Sequence, residues 1–225
     1  MHYRKTVAAV IVAAGQGTRF GGSVNKVYQP LAGKPVIEYS IEVFDRHPEI
    51  DEIVLVVREG EESLTEGLST ITPVRKIFGG ASRKESVHNG LLATYADIVL
   101  IHDGARPFVK ESYITDCLTA MDEFHGATMA IRARDTVKIA DSNNIVERTT
   151  DRAHTWLIQT PQCFRRETIL LGHDTVANDI GVTDDCQLLE SMGYDVKLIP
   201  GDETNLKITS RNDIILALDY LNYRM

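Results

Sequence analysis

The segment VAAGQGTRFGGSVNK, residues 12–26, combines four glycines with Arg19 and Lys26 directly after an apolar run. Glycine lets backbone N–H groups approach phosphate oxygens, the arginine guanidinium offers a planar fork of donors, and lysine adds a mobile point charge. Acidic residues are absent before Glu38, so this part of an otherwise acidic chain is locally cationic. The segment therefore indicates a loop that binds a small polyanion.

A second segment, FGGASRKESV at residues 78–87, repeats this composition. Arg83 and Ser86 follow paired glycines, and Ser82 stands where a helix cap is expected. Arg83 and Lys84 could simply be solvated, so this segment alone is a weak signal.

A third segment, HDGARPF at residues 102–108, puts Asp103 just past another apolar run. A carboxylate in this position could hold Mg²⁺ or a sugar hydroxyl, or could simply cap a turn. We expect the neighbouring His102 to pack rather than to catalyse.

Standard nucleotide-binding patterns do not fit the first segment. Phe20 stands where the third glycine of a dinucleotide fingerprint belongs, and no acidic residue ends the second strand to bind a ribose. The residues around Lys26 do not follow the GxxxxGK(S/T) pattern of a Walker A loop. The sequence also has no HxH or HExxH metal motif. A nicotinamide-dependent oxidoreductase is therefore disfavoured.

Composition is that of an ordinary globular protein. Of 225 residues, 43% are hydrophobic and 25% are charged, and the formal net charge of −8 argues against general nucleic-acid binding. No apolar run approaches the roughly 20 residues of a membrane span, and the apolar N-terminal stretch reads as a core strand rather than a signal peptide. The cysteines are odd in number and far apart in the sequence, which fits a reducing cytoplasm; they are Cys117, Cys163 and Cys186.

The loops need a scaffold, and strand-like and helix-like segments alternate along the chain to provide one. Strand-like runs include TVAAVIVAA, EIVLVV, VRKIF, ADIVLIHD and ATMAIRA, and helix-like runs include KPVIEYSIEVFDRH, SRKESVHNGLLATY and KESYITDCLTAMDEF. In the second helix-like run, Val87, Leu91 and Tyr95 recur every four residues. This order predicts an α/β fold with a Rossmann-like, mainly parallel sheet covered by helices, whose ligands bind beyond the carboxyl ends of the strands.

The regular order breaks at residues 135–152. RDTVKIADSNNIVERTTDR has two short β-prone pieces around Asn143-Asn144, which is a typical turn pair. We expect a β-hairpin arm that leaves the main body of a single domain spanning residues 1–225. Beyond it the pattern predicts a strand at TWLIQTPQCF, helices near 165–177 and 183–192, a strand at DVKLIP and a last helix.

With these residues in hand, the chain resembles the 2-C-methyl-D-erythritol 4-phosphate cytidylyltransferases over nearly its whole length. The resemblance is carried, in order, by AAGQGTRFGGSVNKVYQPLAGKPVIEYSI, GGASRKESV, HDGARPF, RDTVK, TPQCF, TDD and NLKIT. The first of these motifs is shared with other nucleotidyltransferases, whereas the ordered set is far more specific. It implies a nucleotide-diphospho-sugar transferase fold, and an enzyme that joins CTP to the sugar-alcohol phosphate with Mg²⁺ and releases pyrophosphate, a step towards isoprenoid precursors.

The resemblance also implies roles for individual residues. The catalytic cations would be Arg19 and Lys26, which would bind the CTP phosphates, and Lys207, near the α-phosphate. The cytidine and phosphate site would be lined by Ala13, Ala14, Gly15, Gly17, Gly80 and Ser86. The sugar phosphate would meet Asp103, Arg106, Thr136 and Arg152, partly from the second subunit of a homodimer that the arm would clasp. Asp103 is also the candidate Mg²⁺ ligand.

One departure and several alternatives remain. Many members have an acidic residue after the paired glycines, where this chain has Ala81, so the cytidine contact is open. The stretch DRAHTWLIQTPQ also resembles ribitol 5-phosphate cytidylyltransferases, whereas HDGARPF and RDTVK favour methylerythritol phosphate. A nucleotide-binding module without catalysis is a further alternative.

A phosphate monoester is already anionic near neutral pH, so transfer between two anions needs cations rather than a general base.

Overall fold

The computed structural model describes residues 4–15, 20, 25–176 and 182–224. The strands are β1 (Val7–Val12), β2 (Pro30–Leu31), β3 (Lys34–Pro35), β4 (Glu52–Val57), β5 (Val74–Phe78), β6 (Ile98–Asp103), β7 (Gly126–Arg132), β8 (Lys138–Ala140), β9 (Val146–Thr149), β10 (Trp156–Arg165) and β11 (Val196–Pro200). The α-helices are α1 (Val36–Arg46), α2 (Arg83–Leu92), α3 (Glu111–Ala120), α4 (Arg166–Thr175), α5 (Cys186–Ser191) and α6 (Arg211–Arg224). Short 3₁₀ helices are present at Lys26–Tyr28, Glu62–Thr65 and Arg152–His154.

In the described part of the chain, seven strands form the central sheet in the order β11-β7-β10-β6-β1-β4-β5. β1 pairs in parallel with β4 and β6, β4 with β5, and β7 with β11. This confirms the predicted α/β fold with a mainly parallel sheet. β10 instead runs antiparallel to both of its neighbours. The arm, rather than a crossover helix, joins β7 to β10, so the chain returns in the opposite direction.

Helices cover both faces of the sheet, and β1 shows why its sequence is apolar throughout. Ile11 packs on one face in a cluster with Phe44 of α1, whereas Val10 packs on the other face with Leu91 of α2. A strand buried on both faces cannot alternate apolar and polar residues. The predicted core strand is confirmed.

Prolines flank helix α1 on both sides. Pro35 precedes Val36, the first helical residue, and its fixed φ suits the entry to a helix. The helix stops before Pro48, because a residue that precedes proline is pushed out of the helical region, and His47 is extended with ψ 123°.

The predicted periodicity of α2 is correct at Val87 and Leu91 but wrong at Tyr95. The helix ends at Leu92, and the Tyr95 side chain is 87% exposed. The buried Thr94 hydroxyl donates to Glu52 and accepts from the Ala96 backbone N–H at 3.0 Å. These hydrogen bonds compete with the helical pattern and turn the chain towards β6.

The arm is a two-stranded hairpin formed by β8 and β9. Asn144 has a φ of +62°, and the Asp141 carboxylate accepts from the N–H groups of Asn143 and Ile145 at 2.9 and 2.8 Å. Asparagine tolerates this left-handed conformation better than most residues. The two strands are exposed along their length. The turn thus lies at the predicted asparagine pair.

The cysteines are free thiols in the protein interior: Cys117, Cys163 and Cys186. Burial raises the pKa of Cys117 to about 12, so the thiol stays protonated. No helix among the described residues combines the length and the apolar content that crossing a membrane requires.

Candidate active site

A cavity of about 300 Å³ opens at the carboxyl ends of the central parallel strands. Its walls come from the segments after β1, β4, β5 and β6 and from the segment before α6. The residues that line it include Ala13, Ala14, Gly15, Lys26, Arg58, Gly80, Arg83, Ser86, Asp103 and Lys207. The topology therefore brings the loops that the sequence singled out to one place, as parallel strands require.

Lys26 enters this cavity from the first turn of a 3₁₀ helix that Asn25 caps. The Asn25 side chain accepts from the Val27 N–H at 3.4 Å and donates to the carbonyl of Ala13 at 2.8 Å and to Glu61 at 3.1 Å. Asn25 is 4% exposed, so these bonds are shielded from water. The far end of the glycine-rich loop is thereby fixed to the end of β1.

The second glycine loop approaches the first so closely that Gly79 has no room for a side chain. A Cβ atom at Gly79 would lie 2.4 Å from the Cβ of Ala14 and 2.7 Å from the Ser86 hydroxyl. Ser86 in turn accepts from the Gly80 N–H at 3.1 Å. Glycine at this position therefore lets the two loops form one continuous wall.

Ala81, which stands where many members of the resembled family have an acidic residue, lies beside the carboxylate of Glu85. Glu85 accepts from the Ala81 N–H at 2.7 Å, and its own N–H donates to the Ser82 hydroxyl at 3.1 Å. Ser82 is thus the helix cap that the sequence predicted, within a reciprocal arrangement of the capping-box kind.

Asp103 is the centre of a cluster of three cations. Lys207 Nζ lies 2.8 Å from its carboxylate, Arg83 Nε 3.4 Å and Arg106 Nε 3.6 Å. Burial alone would raise the pKa of Asp103, but the three cations hold it well below its usual range. The carboxylate is therefore ionised, and the cluster keeps a net positive charge.

A second cavity of about 420 Å³ lies beyond this cluster. It shares Arg83, Asp103 and Lys207 with the first cavity, and the remainder of its wall includes Arg106, Gln159, Thr160 and Asp184. Two ligand-sized spaces thus meet at a positively charged junction.

His102 supports this junction through contacts with Arg106 and Thr160. Its Nε2 lies 3.1 Å from the carbonyl of Arg106, and its Nδ1 lies 3.1 Å from the Thr160 hydroxyl. Because a carbonyl can only accept, Nε2 carries the proton, and Thr160 donates to Nδ1 while accepting from the Asp103 N–H at 3.1 Å. Burial lowers the pKa of His102 to about 4, so the ring is neutral. Its contacts are structural, as expected from the sequence.

Comparisons with known proteins agree with one another. The family model described as 2-C-methyl-D-erythritol 4-phosphate cytidylyltransferase matches residues 7–223. The chain belongs to this family. A relative of that name from Caldanaerobacter subterraneus is 42% identical over 94% of this chain and 96% of its own length, and one from Geobacillus kaustophilus is 40% identical over 96% and 97%.

Solved structures agree with the family assignment. The 4-diphosphocytidyl-2C-methyl-D-erythritol synthase from Anaerococcus prevotii superposes with a TM-score of 0.85 and 34% identity, covering 97% of this chain and 99% of its own. The 2-C-methyl-D-erythritol 4-phosphate cytidylyltransferase from Thermus thermophilus gives 0.79 and 27%, covering 96% and 99%. The predicted family and fold type are confirmed.

Of the described site residues expected of a methylerythritol phosphate cytidylyltransferase, all but two line one or both of the cavities. Gly17 and Arg19 lie outside the described residues. Thr136 and Arg152 are exposed at the base of the arm, and neither lines either cavity of its own chain. The Arg152 guanidinium donates to the carbonyl of Arg134 at 3.4 Å.

Sequence reasoning missed parts of this cytidylyltransferase-family site. From the sequence Arg83 could have been a solvated surface residue, but it lines both cavities. Arg58 lines the first cavity, where it donates to the carbonyl of Gly15 at 2.8 Å and pairs with Glu61 at 3.4 Å. Its position just after β4, at the same sheet edge as the other loops, was the available signal.

The described residues offer the expected Mg²⁺ little protein ligation at this site. No group of three or more acidic, histidine or cysteine ligands occurs among the described residues. Asp103 offers an ionised carboxylate at the junction, although three cations already contact it. Mg²⁺ is commonly held by one or two carboxylates together with substrate phosphates, so one such ligand is sufficient.

Proposed function

We propose that this protein transfers the cytidylyl group of CTP to 2-C-methyl-D-erythritol 4-phosphate and releases pyrophosphate, a step in isoprenoid precursor synthesis. The observation that carries the proposal is the pair of cavities that share Arg83, Asp103 and Lys207. A transfer between two phosphorylated reactants needs two adjoining binding spaces with positive charge between them. Family membership identifies the reactants.

CTP is assigned to the first cavity. Its wall offers close backbone approach at Gly15 and Gly80, the Ser86 hydroxyl, and the ammonium group of Lys26. We assign the triphosphate to the glycine loop with Lys26 and Arg19, and the cytidine to the side of Gly80 and Ser86. Ala13 and Ala14 give this cavity an apolar floor.

The acceptor is assigned to the second cavity, with Arg106 and Asp103. An oxygen of its phosphate attacks the α-phosphorus of CTP, a new P–O bond forms, and the bond from that phosphorus to the β-phosphate oxygen breaks. Negative charge builds on the α-phosphate oxygens and on the leaving pyrophosphate. Lys207 and Arg83 at the junction, and Lys26 at the loop, stabilise this charge.

Mg²⁺ belongs to the proposal as the cofactor, with Asp103 as its protein ligand. Bound to the triphosphate, the ion would withdraw charge from the phosphate oxygens and help to orient the leaving group. The chain's own residues align both reactants and keep the junction positive.

We also propose a homodimer in which the arm reaches the neighbouring subunit. Support comes from the exposed Thr136 and Arg152 and from the apolar side chains that the arm presents to solvent, with Ile145 65% and Val146 55% exposed. A two-stranded hairpin buries too little surface to be stable alone, and a twofold partner would cover it. A cytoplasmic location, also a proposal, is supported by the three free thiols.

Pyrophosphate release tests the function. The purified protein is incubated with Mg²⁺, with CTP, ATP, GTP or UTP, and with either methylerythritol 4-phosphate or ribitol 5-phosphate. We expect release with CTP and methylerythritol 4-phosphate, and loss of activity on chelation of Mg²⁺. Faster turnover of ribitol 5-phosphate would assign the second cavity to that acceptor. CTP binding without turnover of either acceptor would point to a nucleotide-binding module.

A further inference from the structure

Asp185 is a buried carboxylate for which the reaction described above has no use. It ends the TDD segment that precedes α5, and it is 1% exposed. An unpaired charge at such a position would be strongly destabilising. Its surroundings therefore require an explanation.

Asp185 does not act as a helix cap, although it occupies the cap position of α5. Its side chain makes no capping hydrogen bond, and Asp184 accepts from the Gln187 N–H at 3.2 Å instead. The backbone N–H of Asp185 is held by Gln162 of β10 at 3.1 Å. The residue is therefore fixed to the sheet, and its carboxylate is available for another partner.

That partner is Arg83, which extends between two carboxylates. Arg83 Nη1 lies 2.8 Å from Asp185, and Arg83 Nε lies 3.4 Å from Asp103. His173 Nε2, at 3.8 Å from Asp185, is beyond hydrogen-bond distance. A planar guanidinium that is held at two of its nitrogens has little freedom to turn.

Without Asp185, Arg83 would face Asp103 as its single carboxylate partner among these contacts. It could then rotate to bind Asp103 through two nitrogens and would compete with Lys207 and Arg106 for that carboxylate. A buried ion pair by itself contributes little net stability, so the pair with Asp185 is better explained by orientation.

We infer that Asp185 is a positioning residue for the transfer reaction, which fixes Arg83 at the junction so that its charge faces both cavities. This inference rests on the proposed function. It assigns a role to the TDD segment and explains how Arg83 is held in place at the junction.

A double-mutant cycle tests it, with Asp185→Asn, Arg83→Met and the double variant. We expect Asp185→Asn to lower kcat about tenfold to a hundredfold at saturating CTP and methylerythritol 4-phosphate, because small displacements of catalytic groups cost that much. Arg83→Met should lower kcat at least as much. The double variant should match Arg83→Met within about threefold, because Asp185 acts through Arg83.

Controls separate positioning from folding. Leu189→Ala removes a buried side chain of the same helix and should lower the melting temperature while kcat per folded protein stays close to wild type. Glu190→Gln removes one exposed negative charge from that helix and should change neither. Asp185→Glu restores the carboxylate and should recover part of the lost kcat. If Arg83→Met does not fold, Arg83→Lys takes its place in the cycle.

The outcomes distinguish this inference from the proposed function. An inactive wild-type protein would contradict both. An active wild type in which the effects of Asp185→Asn and Arg83→Met multiply would overturn the positioning role alone, as would a kcat loss for Asp185→Asn that only follows its loss of folded protein.

Discussion

Lys26 lies at the edge of the glycine-rich loop and lines the first cavity. Its removal should impair turnover without unfolding the protein. Loss of one charge contact to the transition state costs about 3 kcal/mol, so Lys26→Ala should lower kcat/KM about a hundredfold. Steady-state kinetics and circular dichroism together check this. Lys197→Ala is the control, since that exposed lysine of β11 lines neither cavity. Turnover close to wild type would remove Lys26 from the mechanism.

His102 should make the protein sensitive to mild acid. Burial lowers its pKa from 6.5 to about 4, so below pH 6.5 the unfolded chain binds a proton that the folded ring does not. The contribution of His102 to the free energy of unfolding is therefore fully present above pH 6.5. It is lost as the pH falls towards the pKa of about 4 in the folded protein. The linkage gives a loss of about 2 kcal/mol between about pH 7 and pH 5 from this group.

The measurement is the free energy of unfolding in denaturant at both pH values. His173, whose pKa burial lowers to about 3, acts in the same direction, so the comparison uses the change between pH values in wild type and in His102→Gln. The variant should lose about 2 kcal/mol less on acidification. An equal loss in both proteins would show that His102 titrates normally.

At the scale of elements, the contact between the two glycine loops depends on Gly79. An added methyl group would lie 2.4 Å from the Cβ of Ala14, so Gly79→Ala must push the loops apart at a cost of about 1–3 kcal/mol. We expect CTP affinity, measured by calorimetry, to fall about tenfold or more. Gly67→Ala is the matched control, because a Cβ there meets no atom within 4 Å. Unchanged affinity in Gly79→Ala would mean that CTP does not lie along this wall.

The arm carries a separate prediction about the acceptor. Thr136→Ala and Arg152→Ala should mainly raise the KM for methylerythritol 4-phosphate, because a hydroxyl and a guanidinium would bind a phosphate that is anionic before and during the reaction. The KM for CTP, measured in the same variants, serves as the internal control. If CTP binding weakened as much as acceptor binding, the arm would not be part of the acceptor site.

At the scale of the whole molecule, Thr136 and Arg152 line neither cavity of their own chain, so we expect each complete site to combine two subunits. Mixing Lys26→Ala with Arg152→Ala protein should then restore activity. A mixed dimer would have one doubly altered site and one intact site. Random exchange places about half of the protein in mixed dimers, so about a quarter of all sites should recover under twofold symmetry.

Subunit exchange is verified first by mass spectrometry of differently labelled subunits. If each site lay within one subunit, every site would keep one lesion and mixing would restore nothing. Activity that stays at the parental level after verified exchange would therefore contradict the shared site.

The sequence by itself determined the features that depend on neighbours along the chain. The apolar run of β1, the prolines around α1 and the turn at Asn143-Asn144 each restrict the backbone over a few residues, and the structure has the expected element at each place. The order of strands and helices then predicted which loops meet at the carboxyl edge of the sheet.

The tertiary structure decided what depends on residues far apart in sequence. The antiparallel direction of β10, the turn that Thr94 makes towards Glu52, and the contact of Arg83 with Asp185 all join distant segments. No local periodicity encodes such contacts, because they follow from which strands become neighbours and which buried charges must then find a partner. The loops of the site could thus be identified from the sequence, whereas the junction that joins its two cavities required the fold.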